Sequence, residues 1–86
     1  MTLSFTPSAW EQYLYWQKTD KAVYKRINRL IQSTLRTPRE GEGKPEQLRG
    51  DLSGHWSRRI TKEHRLVYVI RETSIEIRGC RFHYDK

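Results

Sequence analysis

Glu46 stands in a stretch rich in proline and glycine, the arginines Arg49, Arg58, Arg59 and Arg65 follow it, and His83 and Tyr84 come late in the chain. A carboxylate, a guanidinium and an imidazole are the three groups needed to cleave RNA through its own 2′-hydroxyl. A base takes the hydroxyl proton, a cation holds the charge gathering on the phosphoryl oxygens, and an acid protonates the departing 5′-oxygen. The substrate carries the nucleophile, so no serine or cysteine is required. In that scheme Glu46 is the base, Arg65 the charge stabiliser and His83 the acid, because an imidazole with an ordinary pKa of ~6.5 exchanges a proton near neutrality. Tyr84 would stack on a base or position a phosphate. Lys44, Arg49 and Arg59 would add phosphate contacts, with Arg58 on the same cationic surface.

Every one of these residues has an ordinary competitor. Glu46 is also a plain loop carboxylate, Arg65 a salt-bridging strand arginine, His83 and Tyr84 strand-end residues, and His55 and His64 turn residues with no role. Spacing alone does not choose between the two accounts. There is no glycine-rich phosphate loop, no His-Glu-x-x-His and no cysteine pair, so neither a nucleotide cradle nor a metal site has a basis in the sequence, and no cofactor is expected.

The elements that would position these groups form one domain, residues 1–86. A chain of 86 residues buries only about 60% or slightly more of its unfolded surface and supports a single core. With 35% hydrophobic and 31% charged residues, the composition is that of a globular protein. The single Cys80 sits in an apolar run, which suits a buried thiol and a reducing, cytoplasmic setting. No membrane span or secretion signal is expected. The net charge of +7 points to a polyanionic partner. That charge is local: Lys21, Lys25, Arg26, Arg29, Arg36 and Arg39 lie in a stretch without acids. For Lys21, Lys25, Arg26 and Arg29, which would share one helix face, a solvated cationic face and phosphate contact account equally well.

Leu3 and Phe5 alternate with polar residues as a short strand does. Thr6 or Ser8 would cap a first helix, with Pro7 in its first turn and Trp10, Tyr13, Leu14 and Gln17 along one side. Those aromatics suit packing better than base stacking. Thr19 or Asp20 would cap a second helix, in which Val23, Ile27, Leu30, Ile31 and Thr34 mark the buried face. Thr37-Pro38 stops it, and a loop rich in glycine and proline runs to Glu46. Trp56–Ile60, Arg65–Ile70 and Ile75–Phe82 read as three strands joined by two hairpins. Symmetric turns pair Ile70 with Ile75, Tyr68 with Ile77 and Leu66 with Gly79. One face is then apolar and covered by the helices, while Arg58, Arg65, Val67 and Arg78 share an open, cationic face. The expected fold is therefore α+β: a short N-terminal strand, two helices, then an antiparallel three-stranded meander with both helices on one face. Strict alternation sets His83 opposite to Arg65 unless a bulge or strand end intervenes after Gly79.

Read together, Tyr13-Leu14-Tyr15-Trp16, Lys18-Thr19-Asp20-Lys21, Arg36-Thr37-Pro38, Gly41-Glu42-Gly43-Lys44-Pro45-Glu46, Leu52-Ser53-Gly54, Trp56-Ser57-Arg58-Arg59-Ile60, Glu63-His64-Arg65-Leu66-Val67-Tyr68 and Cys80-Arg81-Phe82-His83-Tyr84 resemble the YoeB (Txe) family of the RelE superfamily. The resemblance covers nearly the whole chain. It implies a RelE-like fold and a ribosome-dependent endoribonuclease toxin that cuts messenger RNA in the ribosomal A site, beside purines. Residue by residue it implies Glu46 as general base, Arg65 as transition-state arginine, His83 as general acid and Tyr84 as the aromatic shaping the site. Arg59 and Arg49 match basic positions near the substrate, Arg49 where the family is expected to carry lysine. Partners implied are a cognate YefM-like antitoxin with an acidic, largely disordered tail, the 70S ribosome with its mRNA, and a second copy of the toxin. Without the resemblance, a non-catalytic basic RNA- or ribosome-binding module also fits the residues, while a pure protein-interaction domain explains the fold but not the cation-rich open sheet.

Overall fold

Thr6 and Asp20 decide where the two helices begin. The structure, a computed structural model, describes residues 1–82. After strand β1 (Thr2–Phe5), the Thr6 hydroxyl accepts from the Ala9 N–H (3.1 Å) and Pro7 opens α1 (Pro7–Thr19). One residue, Asp20, ends α1 and caps α2 (Lys21–Arg36), its carboxylate accepting from the N–H groups of Ala22 and Val23. Thr37 terminates α2 through its N–H to the Ser33 carbonyl (2.8 Å). A two-residue strand β2 (Glu46–Gln47), a 3₁₀ turn (Gly50–Leu52), and strands β3 (His55–Arg59), β4 (Arg65–Ile70) and β5 (Ser74–Gly79) complete the described chain.

The strands form one mixed sheet in the order β1-β5-β4-β3-β2, with β1 parallel to β5 and every other pair antiparallel. The meander expected from the sequence is its centre. The edges differ: β1 joins β5, and Glu46, expected in a loop, lies in β2 against β3. Strand β2 is only two residues long, too short to show a period-2 pattern.

The second helix buries Ile27, Leu30, Ile31 and Thr34, the face its periodicity predicts. In α1 the buried residues are Ala9 and Trp16, while Trp10 remains 46% exposed and packs edge-on to Phe5. Aromatic residues all around α1 made several faces look alike. Ala9, Trp16, Ile27, Leu30 and Ile31 form the core between the helices and one face of the sheet together with Leu66, Tyr68, Ile75, Ile77 and Cys80. No described helix is long and apolar enough to cross a membrane.

Cys80 is fully buried, and that burial pushes its thiol up to about 12. Since the thiolate is the reactive form, a maleimide should label the native protein slowly and the urea-denatured protein at once. Rapid labelling of the native chain would contradict this placement.

Candidate active site

Register decides which side chains meet. Glu46 pairs with Ser57, Ser57 with Val67 and Val67 with Gly79, so these positions cross the sheet on the face away from the helices. Arg59 pairs directly with Arg65 on that same face. Glu46 and Arg65 are thus two strands and two residues apart, roughly 12 Å between backbones, and Arg65 Nη1 donates to the carbonyls of Thr61 (3.2 Å) and His64 (3.4 Å). Glu46, Arg59, Lys44 and Arg49 are exposed and Arg65 is half-buried. Arg49 also helps line a shallow hollow with Gln47, Leu48, Gly50 and Ser53.

Arg58 is corrected by the structure. It opposes Leu66 on the helix side and has no exposed surface. The first hairpin spans the five residues Ile60–His64, closed by the Ile60 and Thr61 N–H groups on the His64 carbonyl. Symmetric pairing about Thr61–His64 would have set Ile60 against Arg65. The observed pairing is one residue over, and a one-residue slip exchanges the two faces. Arg58 is therefore unavailable to RNA, whereas Arg59 faces outward.

The buried guanidinium uses all its donors. Nε donates to the Tyr68 hydroxyl (3.1 Å), Nη1 to the Ser33 hydroxyl and Glu42 carbonyl (both 2.9 Å), and Nη2 to the carbonyls of Thr37 (2.7 Å) and Glu40 (2.9 Å). The last turn of α2 adds the negative end of its dipole. Burial raises the Tyr68 phenol above its usual range, against the pull of Arg58, and the phenol donates to the Pro38 carbonyl at 2.7 Å. Gly41 and Gly43 let the loop close on this cation. Both have positive φ, and a Cβ on Gly43 would stand 2.7 Å from Leu30 Cδ2 and 3.1 Å from Arg58 Cβ. The Arg59 N–H then donates to the Gly43 carbonyl (2.7 Å), fixing the strand that leads to Glu46. Outside the loop, Glu42 pairs with Arg26 and Arg29, so part of the cationic face of α2 is neutralised within the chain.

At the other end of the site the expected alternation is broken before His83 is reached. The β4–β5 register runs Ile70–Ile75 and Tyr68–Ile77 as expected, then skips to Val67–Gly79, leaving Arg78 as a bulge. The expected Leu66–Gly79 pair is therefore displaced by one residue. Past Gly79, the Cys80 N–H donates to Gln12 Oε1 (2.7 Å) and its carbonyl accepts from Trp16 Nε1 (2.9 Å). The Arg81 guanidinium lies 3.7 Å from the Tyr15 ring centroid. Phe82 has φ +67°, a left-handed conformation costing an L-residue about 1–2 kcal/mol. Its N–H donates to His64 Nδ1 (2.7 Å) and its carbonyl accepts from the Arg65 N–H (3.2 Å). His83 and Tyr84 lie outside the described residues.

His64, which looked like a plain turn residue, is thus packed into the structure, its ring edge-on to Trp16 at 4.8 Å between centroids. Gln12, Trp16 and His64 all contact a segment far away in sequence, and no local pattern announces such contacts. On the same open face Glu76 accepts from Arg71 and Arg78, which hold its carboxyl below the usual range.

A family model described as a YoeB-like toxin of bacterial type II toxin-antitoxin systems matches residues 5–84. Toxin YoeB of Escherichia coli K12 is 57% identical over 84 residues, covering 98% of this chain and all of that protein. A YoeB/ParE toxin structure from Agrobacterium tumefaciens superposes with a TM-score of 0.95 at 50% identity, covering 98% of this chain and all of the other. YoeB of Staphylococcus aureus, solved as a dimer and in complex with YefM, superposes with a TM-score of 0.90 in both, at 46% and 45% identity over 98% of each chain.

Proposed function

This chain belongs to the YoeB-like toxins of bacterial type II toxin-antitoxin systems, and from that premise we propose that it is a ribosome-dependent endoribonuclease that cuts messenger RNA in the A site. The observation that carries this reading is the shared open face: Glu46, Arg59 and Arg65 lie together on it, and the Arg65 strand holds the backbone of Phe82, the residue before His83. In the proposed reaction Glu46 takes the proton of the 2′-hydroxyl, and that oxygen attacks the adjacent phosphorus. Arg65 bears the charge building on the phosphoryl oxygens. His83 gives its proton to the 5′-oxygen as the P–O bond breaks, leaving a 2′,3′-cyclic phosphate and a free 5′-hydroxyl. Tyr84 shapes the site, while Lys44, Arg49 and Arg59 hold neighbouring phosphates. The nucleophile belongs to the substrate, and each proton moves through a side chain of this protein, so the scheme calls on no metal or cofactor.

By analogy with the Staphylococcus aureus relative, solved as a dimer and with YefM, this toxin pairs with a second copy and with a YefM-like antitoxin. Its net charge of +7 suits an acidic antitoxin as well as ribosomal RNA. The ribosome and its mRNA, reached in the cytoplasm, are the remaining partners of the reading.

Arg65→Ala tests the site. Removing a donor that acts on developing charge should slow single-turnover cleavage on programmed ribosomes by about 10² or more, with binding to the ribosome little changed. A folded Arg65→Ala protein that cuts at the normal rate would remove Arg65 from the reaction. A wild-type protein that binds ribosomes without cutting would favour the non-catalytic binding module.

A further inference from the structure

We propose that His64 is a positioning residue for the cleavage reaction, the acceptor that locks the C-terminal segment at Phe82 against the strand of Arg65. The inference rests on the reading of Arg65 and His83 as the working pair. Phe82 is held from both sides of its own peptide backbone by two consecutive residues: its N–H by His64 Nδ1 at 2.7 Å, its carbonyl by the Arg65 N–H at 3.2 Å. A backbone N–H only donates, so Nδ1 carries the lone pair and the ring proton sits on Nε2. The left-handed φ of +67° at Phe82 is an arrangement that persists only where its surroundings over-determine it. Phe82 is 55% exposed, so burial of its side chain does not account for that conformation. The two backbone hydrogen bonds do.

His64 is itself fixed. Its side chain is 13% exposed, with its ring edge-on to Trp16, and Trp16 in turn donates to the Cys80 carbonyl. One aromatic pair therefore ties α1, the β3–β4 hairpin and residues 80–82 together. The next residue after this lock is His83, and the next residue after His64 is Arg65. Each of the two proposed reacting residues is thus one peptide away from the lock, and a misplacement of about 1 Å in a reacting group can cost about 10² in rate.

Two substitutions separate the acceptor from the ring. His64→Phe keeps an aromatic against Trp16 and removes the acceptor. His64→Asn removes the ring but sets its Oδ1 close to the position of Nδ1. The full-length protein is read in two ways: amide hydrogen exchange at Phe82, and single-turnover cleavage with 70S ribosomes programmed with mRNA. His64→Phe should speed exchange at Phe82 and lower the cleavage rate at saturating ribosome by about 10- to 100-fold, with the half-saturating ribosome concentration unchanged. His64→Asn should restore both. The proposal is overturned if His64→Phe keeps wild-type protection at Phe82 or wild-type cleavage, or if His64→Asn is as impaired as His64→Phe. Should His64→Phe not fold, His64→Asn decides alone: retained protection and rate support the proposal, and loss of either overturns it. A wild-type protein that cuts nothing refutes the nuclease reading and with it any catalytic use of His64, while exchange at Phe82 still decides whether the lock exists.

Discussion

Arg58→Ala should destabilise the fold by about 3–5 kcal/mol, because it strips partners from five buried or half-buried acceptors and leaves a cavity among them. The acceptors are the hydroxyls of Tyr68 and Ser33 and the carbonyls of Thr37, Glu40 and Glu42. Domains of this size are stable by only about 5–15 kcal/mol, so the loss is a large fraction of the whole. With a urea slope of about 1–3 kcal/mol per molar, the midpoint should fall by roughly 2 M. Arg58→Lys should recover little of this, since an ammonium offers three donors where the guanidinium offers five. Arg59→Ala, at an exposed position, should leave the midpoint almost unchanged. Equal midpoints for the Arg58 and Arg59 variants in urea melts would refute the clamp. The functional consequence of the clamp is the placement of Glu46: the loop from Thr37 to Pro45 closes on Arg58 and delivers Glu46 to the sheet edge beside Ser57.

His83→Ala should slow cleavage by about 10² to 10⁴ without weakening ribosome binding, the usual worth of a general acid. The leaving 5′-oxygen is a strongly basic alkoxide, so it departs slowly unless a proton arrives with it. That gives a test of role and not only of importance. If sulfur replaces the bridging 5′-oxygen at the scissile position, the leaving thiolate needs no proton. On such an mRNA the defect of His83→Ala should shrink towards wild type, while Glu46→Gln, which lacks the base on the other side of phosphorus, should stay slow. A His83→Ala protein equally slow on both substrates would assign His83 some other task. Full activity on ordinary mRNA would exclude it from the reaction.

How far these expectations were legible in the chain varied by element for physical reasons. The second helix was plain, because Val23, Ile27, Leu30, Ile31 and Thr34 give one face and Asp20 and Thr37 give its ends. The three central strands were legible for the same reason of period, although β5 ends at Gly79 where the pattern ran on to Phe82. The pairing of β1 with β5 was not, since nothing local says which edge a short N-terminal strand will join. The face of Arg58 turned on one extra hairpin residue, a difference smaller than any composition signal. Around the site, residue types suggested the chemistry and the family resemblance supplied the joint assignment. The bulge at Arg78, the positive φ at Phe82 and the bond to His64 came only from tertiary contacts. These three break strict strand alternation by Phe82, while His83 itself lies outside the described residues.

The most direct measurement is to map mRNA ends in a translation reaction run with and without this protein. The account predicts new cuts confined to the codon in the ribosomal A site, with a 2′,3′-cyclic phosphate on the upstream fragment and a 5′-hydroxyl on the downstream one. Cuts in mRNA that is not being translated, ends bearing a 3′-hydroxyl and 5′-phosphate, or no new ends at all would contradict it.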